Sequence, residues 1–219
     1  MLITIDGPAA SGKSSIAQAL ARYCGYQFLG TGLLYRAAGY LVYRHNPVAR
    51  VLSSVDIAQL GALAYRYNAG NAQVMHNGQD ILPAVQAYAQ ADLCASLVGV
   101  DAGVRAVLTA LFRQFAHDHA RVGVVAEGRD CGTVIFPQAT HKFYLTALPR
   151  VRAQRMLADT SRQHATTQVD ELEALLAARD ERDSTRAVAP LRPADDAIII
   201  DSSQYTFEET LAMVIKRIV

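Results

Sequence analysis

A glycine-rich segment near the start of the chain has the composition and spacing of a phosphate-binding loop. Residues 7–14 read Gly-Pro-Ala-Ala-Ser-Gly-Lys-Ser, which fits the P-loop pattern G-x-x-x-x-G-K-[ST]. In such a loop successive backbone N–H groups turn inward and form a concave nest around the phosphates of a nucleotide. The motif therefore predicts a nucleotide-phosphate site, formed by Gly7, Pro8, Ala9, Ala10, Ser11, Gly12, Lys13, Ser14 and Ser15.

Four residues add charge and metal chemistry to this loop. Lys13 would place its ammonium group between the two outer phosphates, and the Ser14 hydroxyl would ligate Mg²⁺. Glu127 ends an apolar run, where its carboxylate could hold a water molecule on Mg²⁺, and the nearby Arg129 can reach phosphate. Together they predict a nucleotide site with Mg²⁺ as its cofactor.

The elements around the motif have to place it at the edge of a sheet. Five short apolar runs predict strands, at 1–5, 26–29, 122–127, 142–145 and 197–201. Helical spacing predicts seven helices, at 12–24, 33–44, 55–67, 104–119, 149–160, 169–182 and 206–219. This alternation predicts an α/β, three-layer P-loop fold with a five-stranded parallel sheet and ligands at its carboxyl edge.

Two segments depart from the alternation, although the length of 219 residues suits a single domain over 1–219. The less regular segment 70–96 contains Asn77-Gly78, a strong hairpin-turn signal, and therefore predicts a small antiparallel insertion. Residues 159–168 are polar and contain few large apolar side chains, which predicts a mobile loop.

Composition limits the classes of partner. A net charge of +1 argues against a broad nucleic-acid or membrane surface, and no apolar run has the length of a membrane span. The three cysteines lack metal-ligand spacing, and their odd number fits a reducing compartment. We expect a cytoplasmic monomer without a signal peptide and without nucleic-acid or membrane partners.

The P-loop by itself is shared by GTPase switches, motor-type ATPases and small kinases. A guanine-reading Asn-Lys-x-Asp tetrapeptide does not occur in the sequence, which argues against a GTPase. The strand predicted at 122–127 runs into Glu-Gly-Arg-Asp at 127–130, an acidic and basic pairing suited to Mg²⁺ and phosphate. A small kinase of a nucleotide or metabolite and a non-catalytic nucleotide-binding protein both remain open on these residues.

Three further segments resemble the signature segments of bacterial cytidylate kinase. They read Thr-Gly-Leu-Leu-Tyr-Arg at 31–36, Glu-Gly-Arg-Asp-Cys-Gly-Thr-Val-Ile-Phe-Pro at 127–137 and Arg-Asp-Glu-Arg-Asp-Ser-Thr-Arg-Ala-Val-Ala-Pro-Leu at 179–191. The resemblance implies direct in-line transfer of the γ-phosphoryl group of ATP to CMP and dCMP, with Mg²⁺. It also implies an acceptor-binding arm at 31–96 that carries the insertion, and an arginine-bearing lid at 150–169.

The resemblance also assigns roles to individual residues. It implies contacts to CMP from Thr31, Arg36, Ser96, Arg105, Arg129, Asp130, Arg179, Asp183 and Arg186. It implies catalytic roles, through charge on the transferring phosphates, for Lys13, Arg129, Arg186, Arg152 and Arg155. On spacing alone, Arg179, Asp183 and Arg186 could equally form a surface ladder of ion pairs on one helix face.

The chemistry of the implied base site is consistent with cytosine. An aspartate such as Asp130 can accept from the amino group of cytosine, and Arg105 and Ser96 can donate to its carbonyl and ring nitrogen. Uracil would place a carbonyl against the carboxylate instead. The sequence therefore predicts discrimination between the two pyrimidines.

Three positions, Gly30, Gln86 and Phe112, depart from the family pattern, and two of them lie near the acceptor site. Gly30 stands where an aspartate usually precedes Thr31. Glycine removes a carboxylate and adds backbone freedom, so we expect weaker capture of CMP than is typical of the family. Gly30 could alternatively have a left-handed backbone that only glycine tolerates.

Overall fold

Short apolar runs separated by helices form a parallel sheet, as the sequence predicts. The computed structural model describes residues 1–44, 51–159 and 168–218. In chain order its strands are β1 (Leu2–Asp6), β2 (Gln27–Gly30), β3 (Leu63–Asn68), β4 (Asn71–His76), β5 (Gln79–Asp80), β6 (Val124–Gly128), β7 (His141–Thr146) and β8 (Ile198–Asp201). The parallel sheet has the order β2-β6-β1-β7-β8, so all five strands predicted for it are confirmed.

Helices cover both faces of this sheet. They are α1 (Lys13–Cys24), α2 (Thr31–Tyr43), α3 (Ser54–Ala58), α4 (Leu82–Ala87), α5 (Ala91–Val98), α6 (Ala102–Asp118), α7 (Pro149–Ala158), α8 (Val169–Thr185) and α9 (Phe207–Ile215). A 3-10 turn at Gln59–Ala62 and a π-helical turn at Cys131–Ile135 complete the described elements. The three-layer α/β prediction is therefore confirmed.

Two apolar clusters hold the layers together. One contains Phe28 and Phe143 from the sheet and Leu20 from α1, and the other joins Leu34 of α2 to Phe112 of α6. All five side chains are almost completely buried. Because burying one such side chain contributes about 1.5–3 kcal/mol, the clusters hold the carboxyl edge of the sheet as a rigid platform.

The predicted helix at 55–67 is wrong. Only Ser54–Ala58 is α-helical there, with a capping box between Ser53 and Asp56, and Leu63–Asn68 is strand β3. Buried Leu63 and Tyr65 alternate with exposed neighbours, which is the period of a strand, and β3 pairs with β4 along its whole length. Pairing with the next strand across the turn at Ala69 and Gly70 thus decides the conformation of a segment whose own pattern is ambiguous.

The antiparallel insertion exists, but it lies earlier in the chain than predicted. Its sheet has the order β3-β4-β5 and spans 63–80, whereas most of 82–98 is helical. Asn77 and Gly78 both have positive φ, of 50° and 81°, so the predicted hairpin turn is confirmed. Of the predicted mobile loop at 159–168 within the 150–169 lid, residues 160–167 lie outside the described residues.

Candidate functional site

The phosphate loop leaves the carboxyl end of β1 and runs into the amino end of α1. Gly7 has φ +154°, and a Cβ there would lie 2.0 Å from the backbone oxygen of Leu145. Gly12 caps α1 with φ +86°, in the left-handed region that favours glycine. Both motif glycines are therefore required by the backbone, and the loop presents the positive end of α1 to a ligand.

Lys13 lies inside this loop, with only 6% of its surface exposed. Its Nζ donates a hydrogen bond to the Pro8 carbonyl at 3.0 Å. Burial, followed by the nearby charge of Arg129, lowers the pKa of Lys13 to about 7, although Glu127 opposes the shift. A buried cation among other cations has a strong requirement for an anion, which the phosphates of a nucleotide would supply.

A single cleft of about 1020 Å³ runs along the carboxyl edge of the parallel sheet. This volume is at the upper end of the range of about 300–1,000 Å³ that is usual for ligand pockets, so the cleft is large for a single small ligand. It is lined by eighteen of the predicted site residues: Ala9, Ala10, Ser11, Gly12, Lys13, Ser14, Ser15, Thr31, Arg36, Ser96, Arg105, Glu127, Arg129, Asp130, Arg155, Arg179, Asp183 and Arg186.

Three predicted site residues, Gly7, Pro8 and Arg152, do not line the cleft. Arg152 is buried and donates to the Ala147 carbonyl at 2.9 Å, to the Ala9 carbonyl at 3.0 Å and to Asp180 at 2.5 Å. Asp180 also accepts from the Ala9 N–H at 3.2 Å. Arg152 and Asp180 therefore hold the backbone of Ala9 in the phosphate loop from outside the cleft. A direct phosphate contact from Arg152 stays a prediction.

Arg155 lies at the end of the cleft that is next to the phosphate loop. Its guanidinium donates to the Ser202 hydroxyl at 2.8 Å, to the Ser202 carbonyl at 2.7 Å and to the Tyr205 carbonyl at 3.3 Å. Tyr205 and Phe207 line the cleft there and are nearly half exposed. An immobilised guanidinium plane and exposed aromatic rings are suited to a flat heterocycle. The contact between Arg155 and the transferring phosphates that the family resemblance implies stays a prediction.

Glu127 and Ser14 both line the cleft beside the loop. The Glu127 carboxylate is buried, and it forms no hydrogen bond or ion pair with any residue that the structure describes. Its backbone carbonyl accepts from the Thr31 hydroxyl at 2.8 Å, which fixes the start of α2 beside it. An unpaired buried carboxylate and a hydroxyl next to a phosphate site are the oxygen ligands that suit Mg²⁺. Elsewhere in the described ranges no three His, Cys, Asp or Glu residues cluster as a metal site would require.

The opposite end of the cleft is built around Asp130. This carboxylate is 2% exposed and forms a short ion pair with Arg105, while Arg186 lies 3.8 Å away on its other oxygen. Arg105 also donates to the Gly99 carbonyl at 3.3 Å and lies over the Tyr35 ring at 5.7 Å. The pair thus presents carboxylate acceptors and guanidinium donors side by side to the cleft.

Between the two ends lies a group of arginines with acidic partners. Arg129 pairs with Asp183 at 3.0 Å, and Arg36 pairs with Asp92 at 2.6 Å. Asp92 is also 3.5 Å from Arg179. Arg179, Asp183 and Arg186 line the cleft and are 24%, 11% and 11% exposed, so the interpretation of 179–186 as an exposed surface ladder is wrong.

Three acidic residues at the site were missed from the sequence. Asp6 directly precedes the motif and could have been found by its position, since strand ends beside a P-loop face the ligand. Asp92 is the only charged residue in the apolar segment 91–98, which is a weaker signal. No sequence signal marks Asp180, because acidic residues are common along its helix.

The comparison with protein families decides the class. The family model described as cytidylate kinase matches residues 3–219. The chain belongs to the cytidylate kinase family. Because the match covers almost the whole chain, this cytidylate kinase family member is an enzyme of the kinase class and not only a protein with a shared nucleotide-binding loop.

Curated relatives agree with the family match. Cytidylate kinases from Thermotoga maritima, Shewanella sp. strain MR-7 and Xanthobacter autotrophicus are 37%, 35% and 38% identical to this chain. The alignments cover 98%, 99% and 97% of this chain, and 94% of each relative. The similarity therefore includes both ends of the cleft.

Solved structures support the fold alone. Protein TT1252 from Thermus thermophilus has a TM-score of 0.53 and 17% identity, with 100% of this chain and 95% of that one covered. A shikimate kinase from Bacteroides thetaiotaomicron has a TM-score of 0.54 and 12% identity, and the match covers 100% of this chain and 98% of that one.

No single helix among the described residues is long and apolar enough to cross a membrane. Helices α5 and α6 together have the length and apolar composition of a span, but they meet at a bend of 101°.

Proposed function

We propose that the protein transfers the γ-phosphoryl group of ATP to CMP and dCMP, giving CDP and dCDP. The observation that carries this proposal is the buried Asp130–Arg105 pair, which lines the same cleft as the phosphate loop. A buried acceptor beside a buried donor matches the amino group and the carbonyl on the edge of cytosine. Family membership agrees with that assignment.

The donor nucleotide occupies the end of the cleft formed by the phosphate loop. Backbone N–H groups of 10–15 and the Lys13 ammonium bind its phosphates. The adenine ring lies between the Arg155 guanidinium and the exposed rings of Tyr205 and Phe207, because this is the flat, partly apolar surface next to the loop.

Mg²⁺ fits the unpaired oxygen groups at this end. Ser14 would hold the ion directly and Glu127 would hold it through water, the two residues that line the cleft beside Lys13. When bound, the ion neutralises charge on the phosphates of the donor. The remaining residues of the site act without it, by positioning and by supplying positive charge.

The acceptor phosphate lies in the middle of the cleft, among Arg36, Arg129, Arg179 and Arg186. Asp183 is held by Arg129 at 3.0 Å and is placed to accept from the ribose hydroxyls, while the Ser96 hydroxyl faces the base. An acceptor that lacks the 2′-hydroxyl keeps the phosphate and base contacts, which is why dCMP is included.

The transfer needs positioning and charge rather than a strong base. The attacking oxygen belongs to a phosphate that is already an anion, so no proton has to be removed first. Lys13 and the arginines offset the repulsion between the acceptor and the donor phosphates and stabilise charge in the loose transition state. In-line attack requires the donor and acceptor phosphates to meet, and the phosphate loop and the arginine group line the same cleft. The expectation of a cytoplasmic monomer stays a prediction.

A coupled assay of ADP release tests this function directly. We expect good rates with CMP and dCMP, poor rates with UMP, and rates near background with AMP and GMP. Asp130→Ala should lower kcat/KM for CMP by about 10- to 100-fold but change UMP much less, because an unmet buried polar group costs about 1–3 kcal/mol. Asp195→Asn, an exposed position outside the cleft, is the matched control and should leave all rates unchanged.

Two results would contradict the proposal. Equal rates with CMP and AMP would make the protein a broader small kinase, and the role of the Asp130–Arg105 pair would be wrong. Binding of ATP without turnover on any of the five monophosphates would make it a non-catalytic nucleotide-binding protein.

A further inference from the structure

Asp92 places its carboxylate between two of the arginines in the middle of the cleft. One carboxylate oxygen is 2.6 Å from Nε of Arg36, and the other is 3.5 Å from Nη1 of Arg179. The side chain is 43% exposed and lines the cleft from the first turn of α5. Two oxygens on two guanidinium groups is the arrangement that a phosphate group would itself adopt there.

The arginines around Asp92 repel one another and need an anion. Burial lowers the pKa of Arg179, and the nearby charges of Arg129 and Arg36 lower it further, whereas Asp92 and Asp183 raise it. Nε of Arg179 is buried and has no hydrogen-bond acceptor among the described residues. Asp92 therefore compensates only part of the positive charge, and donors remain for a further anion.

We infer that Asp92 is a built-in counter-anion that competes with the acceptor phosphate for Arg36 and Arg179 and thereby sets the affinity for the acceptor. The inference rests on the proposed function, because it requires that a monophosphate binds at these arginines. The carboxylate occupies the guanidinium donors until an acceptor arrives, and the incoming phosphate displaces it. Asp92 thus lowers the affinity for the acceptor and is not a catalytic residue.

The energetics allow such an exchange. An ion pair that is this exposed contributes little free energy, so a phosphate dianion can displace a carboxylate that carries one charge. After displacement Asp92 still lies close to the phosphate, and their like charges repel. Competition for the arginines and repulsion between the like charges both weaken the binding of the acceptor phosphate, so removing the carboxylate should tighten the binding of CMP. A carboxylate that instead held the two arginines in a productive geometry would have the opposite effect.

Calorimetric binding of CMP, without ATP, distinguishes these two roles. The proteins compared are the wild type, Asp92→Asn, Asp92→Ala and the control Asp195→Asn, which removes an exposed carboxylate outside the cleft. We expect both Asp92 variants to bind CMP about three- to tenfold more tightly, as removal of a partly exposed charge allows. The gain should shrink as KCl is raised from about 0.05 to about 0.5 M, because salt screens exposed charges.

Cytidine, which lacks the phosphate, is the second probe. Its affinity should be the same in all four proteins, since Asp92 acts on the phosphate and not on the base. Weaker or unchanged CMP binding in variants whose thermal unfolding matches the wild type would overturn the inference. A folded wild-type protein that binds cytidine and CMP equally would overturn it too, because no phosphate would then be bound at the arginines. A folded wild type that binds neither ligand would overturn the proposed function, and this inference with it.

Discussion

Asp6 accepts a hydrogen bond from the backbone N–H of Gly132 at 2.7 Å, and this bond joins the two ends of the candidate site. Asp6 is the residue before the phosphate loop, and Gly132 follows Asp130 by two positions. The second oxygen of Asp6 accepts from the Cys131 N–H at 2.9 Å. A Cβ at Gly132 would lie 2.9 Å from the Thr4 hydroxyl, so the close approach requires glycine.

The Asp6 link predicts a pH dependence of stability. Burial raises the pKa of Asp6 from 3.8 to about 6, although the two backbone N–H groups oppose the shift. Between these pH values the folded state keeps a proton that the unfolded state releases. The stabilisation of the folded state that depends on this proton is fully present below about pH 4 and is lost as pH rises to about 6. The loss is on the order of 3 kcal/mol at most.

Chemical unfolding of the wild type and Asp6→Asn at pH 4.5 to 7.5 measures this effect. Asparagine does not titrate, so the free energy of unfolding of the wild type should fall with rising pH relative to that of the variant, and the difference should level off above about pH 6.5. Parallel curves would show that Asp6 does not titrate in this range.

Asp6→Asn should also raise KM for CMP at pH 7.5, because the turn that carries Asp130 then loses a charged hydrogen-bond acceptor.

Lys13 is predicted to be essential for turnover and unimportant for folding. Lys13→Met should lower kcat by at least about 100-fold, because it removes a charge directed at the transferring group. Its melting temperature should equal or exceed that of the wild type, since the buried lysine lies among Arg129, Arg179 and Arg36.

Lys142 is the matched control for Lys13, because it is also a buried lysine but lies outside the cleft. It donates to the Pro137 carbonyl at 2.6 Å and to Asp196 at 2.9 Å. Lys142→Met should therefore lower the melting temperature and keep turnover per folded molecule. A lowered melting temperature with normal turnover in Lys13→Met would show that Lys13 has a structural role only.

Arg152 and Asp180 should behave as one unit that positions the phosphate loop. Arg152→Lys and Asp180→Asn each remove part of the brace on Ala9, so each should raise KM for ATP several-fold and leave KM for CMP unchanged. In the double variant the two effects should not add, because they act on the same loop. A much larger loss of kcat in Arg152→Lys alone, additive with Asp180→Asn, would support the direct phosphate contact expected from the family resemblance.

The sequence predicts the parts of this protein whose signals are local. The phosphate loop and the five parallel strands follow from residue types a few positions apart, and the Asn77-Gly78 turn follows from its own backbone preference. The helix predicted over strand β3 is wrong because its apolar spacing is ambiguous and the Ala69-Gly70 turn that pairs it with β4 lacks the Asn or Asp typical of hairpin turns.

The direction of a long side chain cannot be read from the sequence in the same way. Arg152 and Arg155 are three positions apart on one helix, yet Arg155 lines the cleft and Arg152 is held behind the loop by Asp180. The partner that decides this lies on another helix, 28 positions along the chain. For the same reason the role of Asp92 depends on the packing of α5 beside Arg36 of α2, which the sequence does not show.

The backbone at Gly30 allows the aspartate that the family pattern usually has at this position. Its φ and ψ of −88° and 92° are ordinary extended values, so the left-handed alternative is wrong. An added Cβ would lie 3.2 Å from the Phe28 ring and 3.3 Å from Leu33, which requires shifts of a few tenths of an ångström. We therefore expect Gly30→Asp to fold, with little change in melting temperature.

Gly30→Asp should also tighten CMP binding. Residue 30 precedes α2, whose N-terminus lacks a side-chain cap, and an aspartate there could accept from the free N–H groups of the first turn. Fixing that turn orders Thr31 and Arg36 before the acceptor arrives, so less conformational entropy is lost on binding. Gly30→Ala introduces the same crowding without the carboxylate and is the matched control. If calorimetry gives the two variants equal CMP affinity, the missing carboxylate does not limit acceptor binding in this chain.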